Sequence, residues 1–338
     1  MYKSFYNLSQ NPFQLTANLS FFFDSASHKR AKAYLRYGLL QGEGFVVVTG
    51  VPGTGKTMLV KNLFQSIQKE EDIVIGLMVT SQVGAEDTLR MLAGIFKIAY
   101  EYDDNKAALL SGLEAFFKKS ARLGKRVLLV VDEAQNLPKE SIEELRMLSN
   151  YEWAGKVIFQ VFLVGQEELS QVLYASGMEQ VKQRIVASYH LKAIEKQEIK
   201  EYITFRLEKV GWKNNPQFTD DVFDEIYNFT AGIPRRINTL CDRLLLYGFL
   251  EELSVINLDS TQYVIKEIES DYASIEPTTE SSNTISNITI TANASESERI
   301  MALEKKVTEL TTVINKERAL LRKAILIQLD MDEVYSEQ

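Results

Sequence analysis

Cysteine and histidine are scarce in this chain of 338 residues, which has one of the former and two of the latter. Because Cys241 has no partner in the chain, intramolecular disulfides and cysteine-based metal clusters are excluded, and a reducing compartment fits best. His28 and His190 stand alone, without further ligand residues at metal-binding spacing. We therefore expect packing or surface roles for both histidines.

Long apolar runs and an excess of positive charge are also missing. No segment reaches the roughly 18 uncharged apolar residues of a membrane span, and Asn11, Pro12 and Asp24 interrupt the start where a signal peptide would be apolar. The sequence therefore predicts a cytoplasmic protein, with a peripheral position at the inner membrane as the alternative. The net charge of −8, from 38 basic and 46 acidic residues, argues against unassisted binding along a nucleic-acid backbone but leaves room for a local basic patch.

The length of the chain and its 45% of hydrophobic residues allow two globular units and an appendage. The first unit, residues 1–192, alternates short β-rich runs with longer amphipathic stretches, which is the pattern of a doubly wound α/β sheet. We expect a five-stranded parallel sheet, most of whose strands are nearly continuous apolar runs because both faces are covered. The predicted strands are Phe45–Thr49, Ile73–Val79, Arg126–Val131, Val157–Val164 and Ile185–Leu191.

Helical periodicity replaces the β-rich runs in residues 193–270, which predicts a small α-helical lid domain. The predicted helices are Lys196–Val210, Thr219–Thr230, Pro234–Leu250 and Asp259–Ile268. Residues 271–299 turn to Ser, Thr, Asn and Glu without an apolar face and predict a flexible linker. Residues 300–330 predict a short coiled-coil helix, with a lone amphipathic helix as the alternative. The heptad positions are Ile300, Leu303, Val307, Leu310, Ile314, Leu321 and Ala324, with Glu317 at one d position.

The motif G-x-x-x-x-G-K-[ST] directly follows the first predicted strand. Its glycines let successive backbone N–H groups turn toward one anion, and the helix that follows adds its positive N-terminal end. Lys56 would reach the β- and γ-phosphates of ATP, and Thr57 would bind Mg²⁺. The residues that we expect to contact nucleotide here are Gly50, Val51, Pro52, Gly53, Thr54, Gly55, Lys56, Thr57 and Met58.

An acidic pair ends the third predicted strand, about 75 residues after the first motif. Asp132 would lie beside the Mg²⁺ ion, and Glu133 would polarise the attacking water, the division of labour that phosphoryl transfer needs. An acidic pair after a strand can also be a helix cap. The preceding nucleotide motif favours the catalytic interpretation.

Three further polar positions are candidates for the same site. Gln166 leaves the fourth strand at its carboxyl end, where ligands of open α/β sheets bind, although a simple turn glutamine is the alternative. Arg184 precedes the last strand and could project into a neighbouring subunit's nucleotide, a role for which Arg146 and a surface salt bridge compete. Pro234 opens a helix of the second domain and Arg235 would reach back to the phosphates.

Taken together, these residues resemble the AAA+ ATPases related to general secretion pathway protein A, including those of pilus biogenesis and of exosortase and exopolysaccharide loci. The resemblance covers about residues 1–270 and is carried mainly by the segments around the motifs. These segments are Phe5-Tyr6-Asn7-Leu8, Asn11-Pro12-Phe13, His28 before Ala33-Tyr34-Leu35, Tyr37-Gly38-Leu39, Glu43-Gly44-Phe45, Asp132-Glu133-Ala134-Gln135 and Gly232-Ile233-Pro234-Arg235.

The resemblance implies roles for the candidate residues. Lys56 and Thr57 correspond to Walker A, Asp132 and Glu133 to Walker B, Gln166 to sensor 1, Arg184 to an arginine finger and Arg235 to sensor 2. It also implies an ATP-dependent homo-oligomer, because the nucleotide of such proteins lies between subunits. The secretion archetype carries a membrane span and a peptidoglycan-binding domain after its ATPase, whereas this chain has a polar linker and a predicted coiled coil there.

The leading functional hypothesis is an ATPase that assembles or energises a bacterial envelope export system and contacts secretion or polysaccharide-export proteins through its C-terminal helix. The rival is a DNA-associated AAA+ regulator of the transposition-ATPase type, which the acidic net charge disfavours. The third hypothesis is a nucleotide-gated scaffold that hardly hydrolyses ATP. The presence of Lys56, Asp132 and Glu133 argues against it.

Overall fold

A computed structural model describes residues 2–67, 72–79, 83–101 and 104–275 of the chain. Residues 1–270 form one compact unit. The predicted coiled coil at 300–330, and the predicted linker apart from the end of the last helix, lie outside the described residues. The helices are α1 Tyr2–Phe5, α2 Ala26–Gln41, α3 Lys56–Ile67, α4 Ala85–Ile95, α5 Lys106–Arg122, α6 Lys139–Leu148, α7 Glu167–Leu173, α8 Glu179–Lys182, α9 Ile199–Glu208, α10 Asp220–Thr230, α11 Pro234–Leu250 and α12 Leu258–Ile275.

The main sheet has five parallel strands, as the sequence predicts, and short strands form two small pairs. The strands are β1 Phe45–Gly50, β2 Ile73–Val79, β3 Arg126–Asp132, β4 Glu152–Trp153, β5 Lys156–Val157, β6 Phe159–Val164, β7 Ile185–Leu191, β8 Gln217–Phe218 and β9 Val255–Ile256. Their order in the main sheet is β2-β3-β6-β1-β7, while β4 pairs with β5 and β8 with β9. The α/β fold prediction is therefore confirmed.

The inner strands are buried because helices cover both faces of the sheet. All residues of β1 and β6 are buried, and so are those of β3 after its first. Alternate residues of each strand enter two hydrophobic clusters, as the period of two requires: Val47 and Leu129 point into one, Val48 and Val130 into the other. The continuous apolar runs of the sequence thus reflect burial on both faces.

Strand order brings separated parts of the sequence to one edge. β6 lies between β1 and β3, with Val164 beside Val48 and Leu163 beside Val131. All strands run parallel, so the residues that follow β1, β3 and β6 emerge side by side at the carboxyl end of the sheet. This juxtaposition positions the candidate site.

One predicted strand is shorter than expected. The sequence predicts Val157–Val164, but the main-sheet strand begins at Phe159. The preceding residues form the β4–β5 hairpin instead, and the Ile158 amide donates to the Tyr151 carbonyl at 3.1 Å. The hairpin thus takes the Ile158 amide, whereas the Ile158 carbonyl still accepts from the Val127 amide of β3 at 3.2 Å.

The helices α9 to α12 surround a third hydrophobic cluster, in which Cys241 is fully buried. Apolar residues of the N-terminal segment join this helical cluster: Tyr6, Leu8, Phe13 and Phe21. Arg206 of α9 fixes the segment further, because its Nε donates to the Pro12 carbonyl at 2.8 Å. The N-terminal segment therefore connects the helical cluster with α2 and the sheet.

A candidate nucleotide-binding and hydrolysis site

The loop between β1 and α3 has the backbone of an anion cradle. Gly53 and Gly55 have φ angles of 85° and 93°, in the left-handed region that disfavours side chains. A β carbon on Gly53 would lie only 2.7 Å from Cβ of Arg235. Glycine is thus required both by the backbone conformation and by the close approach of α11.

Lys56, the first residue of α3, is buried, with 7% of its surface exposed. Its Nζ donates to the carbonyls of Gly50 at 2.8 Å and Val51 at 3.2 Å. Burial lowers the pKa of Lys56, while the nearby carboxylates of Glu133 and Asp132 act in the opposite direction. The ammonium therefore lies beside the site's acids at the mouth of the loop.

Thr57 and Asp132 meet across the gap between α3 and the end of β3. Thr57 Oγ1 donates to Asp132 Oδ2 at 2.7 Å. A hydroxyl and a carboxylate are the hard oxygen donors that Mg²⁺ prefers, and this ion usually takes its remaining ligands from water and phosphate. Within the described ranges no group of three or more His, Cys, Asp and Glu residues forms a complete metal site. The pair fits a phosphate-bound Mg²⁺ better than a metal caged by protein.

Glu133 adopts a left-handed backbone, with φ 53° and ψ 39°, which is uncommon for a side chain of this kind. Its Oε2 accepts from Gln135 Nε2 at 2.6 Å and from Gln166 Nε2 at 3.2 Å. Burial alone would raise the pKa of Glu133, but these hydrogen bonds and the charge of Lys56 outweigh it, so the pKa lies below its usual range. The side chain is an ionised, oriented carboxylate at neutral pH.

Gln135 links the two strand ends of the site. It donates to Glu133, and its Oε1 accepts from the Gln166 backbone amide at 3.0 Å. Gln166 in turn occupies the N-cap position of α7, and its side chain contacts the same carboxylate. No role for Gln135 could be predicted from the sequence, because its partner after β6 lies 31 residues further along the chain.

A cavity of about 440 Å³ opens between the loop, the N-terminal segment and the helical lid. Glu133, Gln166, Pro234 and Arg235 line it, together with the loop from Pro52 to Met58. Gly50 and Val51, for which the sequence predicts nucleotide contacts, are not part of the wall, and their carbonyls accept from Lys56 Nζ. The N-terminal lining is formed by Gln14, Leu15, Thr16, Ala17, Asn18, Phe21, Phe22 and Phe23. The neighbouring Asn11-Pro12-Phe13 is not part of this lining.

Arg235 connects the lid directly with the loop. Pro234 occupies the first turn of α11, as predicted, and the Arg235 amide donates to the Gly53 carbonyl at 3.2 Å. Its side chain is exposed and borders the cavity. A conformational change of the loop at Gly53 would therefore alter a hydrogen bond at the start of α11.

Arg184 lies at the other end of the sheet. Its carbonyl accepts from the Phe45 amide at 2.8 Å, just before β1 and β7 begin. At about 3.3 Å per residue, the seven residues of β7 separate it from the carboxyl end by roughly 20 Å. Arg184 cannot reach its own chain's cavity, so the predicted role requires a second subunit. Its competitor Arg146 pairs with Glu143 at 2.6 Å.

His28 borders the cavity, although the sequence predicts only a packing or surface role for it. It lies at the start of α2, is 4% exposed, and lines the cavity. A β carbon on Gly55 would lie 3.2 Å from its Nε2. The prediction of a packing role therefore omitted its contact with the loop.

Comparison with known proteins agrees with this geometry. Residues 39–173 match the family model described as an AAA domain. The chain accordingly contains an AAA domain on the P-loop NTPase fold.

The chain is similar to general secretion pathway protein A of Aeromonas hydrophila, with 36% identity over 249 residues. The alignment covers 74% of this chain but only 45% of that protein, so the chain spans less than half of its relative. The resemblance deduced from the sequence is confirmed.

Solved structures with the same fold include CDC6P of Pyrobaculum aerophilum, with a TM-score of 0.58 and 14% identity over 75% of this chain and 68% of that one. The Aeropyrum pernix ORC2 protein, solved in ADPNP–ADP complexes, gives a TM-score of 0.56 and 15% identity over 77% of this chain and 72% of that one. At such identities the likeness concerns the fold alone. Among the described helices, none has the length and apolar character needed to cross a bilayer.

Proposed function

We propose that this protein binds ATP with Mg²⁺ in the cavity and hydrolyses it. The observation that carries the proposal is the contact of Thr57 Oγ1 with Asp132 Oδ2 at 2.7 Å, flanked by Lys56 and Glu133. A hydroxyl, a carboxylate, an ammonium and a second carboxylate converge at the point where the loop ends. Phosphoryl transfer to water needs this set: charge neutralisation, a metal site and a group that orients the nucleophile.

Each residue then has a defined task. Backbone amides of the loop and the Lys56 ammonium bind the phosphates, and Thr57 and Asp132 would hold the metal. Bound Mg²⁺ would neutralise phosphate charge. Glu133, held ionised by Gln135 and Gln166, orients a water molecule and accepts its proton. The hydrogen bond between Arg235 and Gly53 would transmit the state of the loop to the lid.

The envelope-export role rests on the relative's name and remains a proposal for this chain. The 36% identity to general secretion pathway protein A supports an ATPase that assembles or energises an export system, peripheral to the inner membrane. The position of Arg184 at the sheet end far from its own cavity supports action in trans within a homo-oligomer. We further propose that the C-terminal segment contacts the export proteins.

A DNA-associated regulator is the second candidate, and one observation favours it. The sequence of α2 contains four basic residues and no acidic one, and Tyr34 and Tyr37 on it are 51% and 54% exposed. Basic residues interspersed with aromatic ones suit a nucleic-acid backbone. One of the four, Lys32, is already paired with Asp24 at 3.1 Å.

ATP binding and phosphate release by Lys56→Ala and Glu133→Gln test the hydrolase proposal. Lys56→Ala should abolish binding, whereas Glu133→Gln should bind ATP and lose about 10²-fold or more of turnover, the usual contribution of a general base. Lys61→Ala on the same helix and Glu140→Gln at an exposed position are matched controls. Turnover of Glu133→Gln at the wild-type rate would contradict the assigned role.

Light scattering separates the two biological roles. The Glu133→Gln variant with ATP is sized alone and with duplex DNA, and wild-type turnover is measured in both conditions. ATP-driven assembly without any effect of DNA supports the export role. Binding of DNA together with stimulated ATP turnover would contradict the export role and support the DNA-associated regulator.

A further inference from the structure

His28 is held in one orientation from three sides. Ser25 caps α2, and its Oγ lies 2.7 Å from His28 Nδ1 while accepting the His28 amide at 3.3 Å. Phe22 contacts the ring edge to face, with centroids 5.3 Å apart. The remaining ring nitrogen, Nε2, faces the loop backbone at Thr54 and Gly55. A buried imidazole fixed in this way has one polar direction left, and that direction is the loop.

The position of Nε2 beside the loop backbone indicates which nitrogen carries the proton. A backbone carbonyl only accepts, so Nε2 must donate to it, and Nδ1 must then accept from the Ser25 hydroxyl in the neutral ring. Burial lowers the pKa of His28 to about 4, with the backbone of Thr54 and the charges of Asp24 and Glu198 acting against this and Lys32 adding to it. The ring is therefore neutral at physiological pH, as this hydrogen-bond pattern requires.

The geometry of the peptide unit gives the contact its consequence. In a trans peptide the carbonyl and the following N–H point in opposite directions. A carbonyl of Thr54 held toward His28 therefore turns the Gly55 amide away from His28 and toward the phosphate side of the loop. Gly55 has a left-handed φ of 93°, which is one of several backbone conformations that an unconstrained glycine can adopt.

We propose that His28 is a positioning residue of the nucleotide site. Its Nε2 donates a hydrogen bond to the Thr54 carbonyl and thereby orients the Gly55 amide toward a bound phosphate. The inference rests on the proposed ATP binding and assigns His28 a role that neither the glycine-rich motif nor the acidic pair requires. It also links the loop with the lid, because the Ala26 amide at the start of α2 donates to Glu198 Oε1 at 2.8 Å.

Three substitutions separate the donor from the bulk of the ring. His28→Gln places an amide donor near the position of Nε2, His28→Asn retains only the shorter reach toward Ser25, and His28→Phe fills the space without a donor. Affinity for a fluorescent ATP analogue is measured on the full chain, and the unfolding temperature without nucleotide is measured in parallel. His190→Gln is the matched control, because this exposed histidine contacts Thr49 and not the loop backbone.

We expect His28→Phe and His28→Asn to weaken nucleotide binding about tenfold, as for the loss of one oriented donor, and His28→Gln to remain within about threefold of wild type. Equal affinity of all three variants and the wild type would overturn the inference while leaving ATP binding intact. A wild-type protein that binds no nucleotide would overturn the proposed function together with it.

A measurement without nucleotide tests the same contact. ¹⁵N NMR of the histidine rings at pH 7 should show His28 as the neutral tautomer with its proton on Nε2. A proton on Nδ1 would overturn the inference whatever the affinities, because Thr54 would then have no donor. A folded His28→Gln that binds ATP as weakly as His28→Phe would also contradict it.

Discussion

The two ends of the main sheet use buried polar residues differently. At the amino end, Gln160 is 4% exposed, and its Nε2 donates to the carbonyls of Gly38 at 2.8 Å and Glu43 at 3.0 Å. Arg126 there donates to the Leu39 carbonyl at 2.8 Å. At the carboxyl end, Thr57, Asp132, Glu133 and their neighbours bond mainly to one another around a cavity.

The difference separates stability from chemistry within one sheet. Polar side chains that satisfy backbone carbonyls hold the turn between α2 and β1 in place, and removing them leaves buried acceptors unpaired. Polar side chains that bond to each other beside a cavity can exchange those bonds for a ligand. Substitutions of Gln160 and Arg126 at the amino end should therefore change folding, and those of the site residues at the carboxyl end should change catalysis.

The largest effect is expected at Asp132. Asp132→Asn removes a charge that would hold the metal, so turnover should fall roughly 10²-fold or more, about 3 kcal/mol of transition-state stabilisation. Phosphate release measured across a Mg²⁺ titration checks this, with exposed Asp72→Asn as the control. An unchanged Mg²⁺ dependence would show that Asp132 does not belong to the metal site.

His28 should make stability depend on acid. Its pKa falls from 6.5 to about 4 on folding, so the unfolded chain binds a proton first and stability is lost as pH falls from 6.5 to 4. The full loss is about 3 kcal/mol. Denaturant unfolding between pH 4 and 7 measures it, and the curve of His28→Phe should be flatter by this amount. Parallel curves would contradict the burial of a neutral imidazole.

At the amino end, Gln160→Leu should lower the free energy of unfolding by about 2 kcal/mol, because the carbonyls of Gly38 and Glu43 lose their donor in a buried place. Turnover per folded molecule should stay at the wild-type value. Exposed Gln65→Leu serves as the control. Loss of turnover without loss of stability would break the comparison between the two ends.

The smallest effect is expected at Gln135. Gln135→Ala removes a hydrogen bond that lowers the pKa of Glu133, so turnover should fall about tenfold, or about 1.4 kcal/mol, and the acid limb of its pH profile should move to higher pH. Exposed Gln183→Ala is the matched control. An acid limb that stays in place would separate Gln135 from the ionisation of Glu133.

The sheet and its nucleotide loop were predictable because their physical requirements are local. A strand covered on both faces needs a continuous apolar run, and a phosphate cradle needs Gly53, Gly55 and Lys56 at fixed spacing. The acidic pair at Asp132 was recognisable for the same reason. Gln166 could be placed at the site because every parallel strand ends at the same edge.

The remaining contacts of the site join distant parts of the sequence, which no periodicity reveals. Arg206 contacts Pro12 from 194 positions away, and this contact draws the N-terminal segment over the helical cluster. His28 reaches Thr54 only because α2 packs against the sheet beside the loop. A lone histidine on a helix has the same pattern whether it packs in a core or supports a site.

The central claim is that the cavity at the carboxyl end of the sheet binds Mg²⁺ and ATP. A crystal structure of the Glu133→Gln variant, grown in the presence of Mg²⁺ and ATP, tests this claim most directly. The expected result is a triphosphate on the loop beside Lys56, with the metal bound to Thr57 and Asp132 and the adenine base between the N-terminal segment and α11. A nucleotide bound elsewhere, or a metal without Thr57 and Asp132, would contradict the claim.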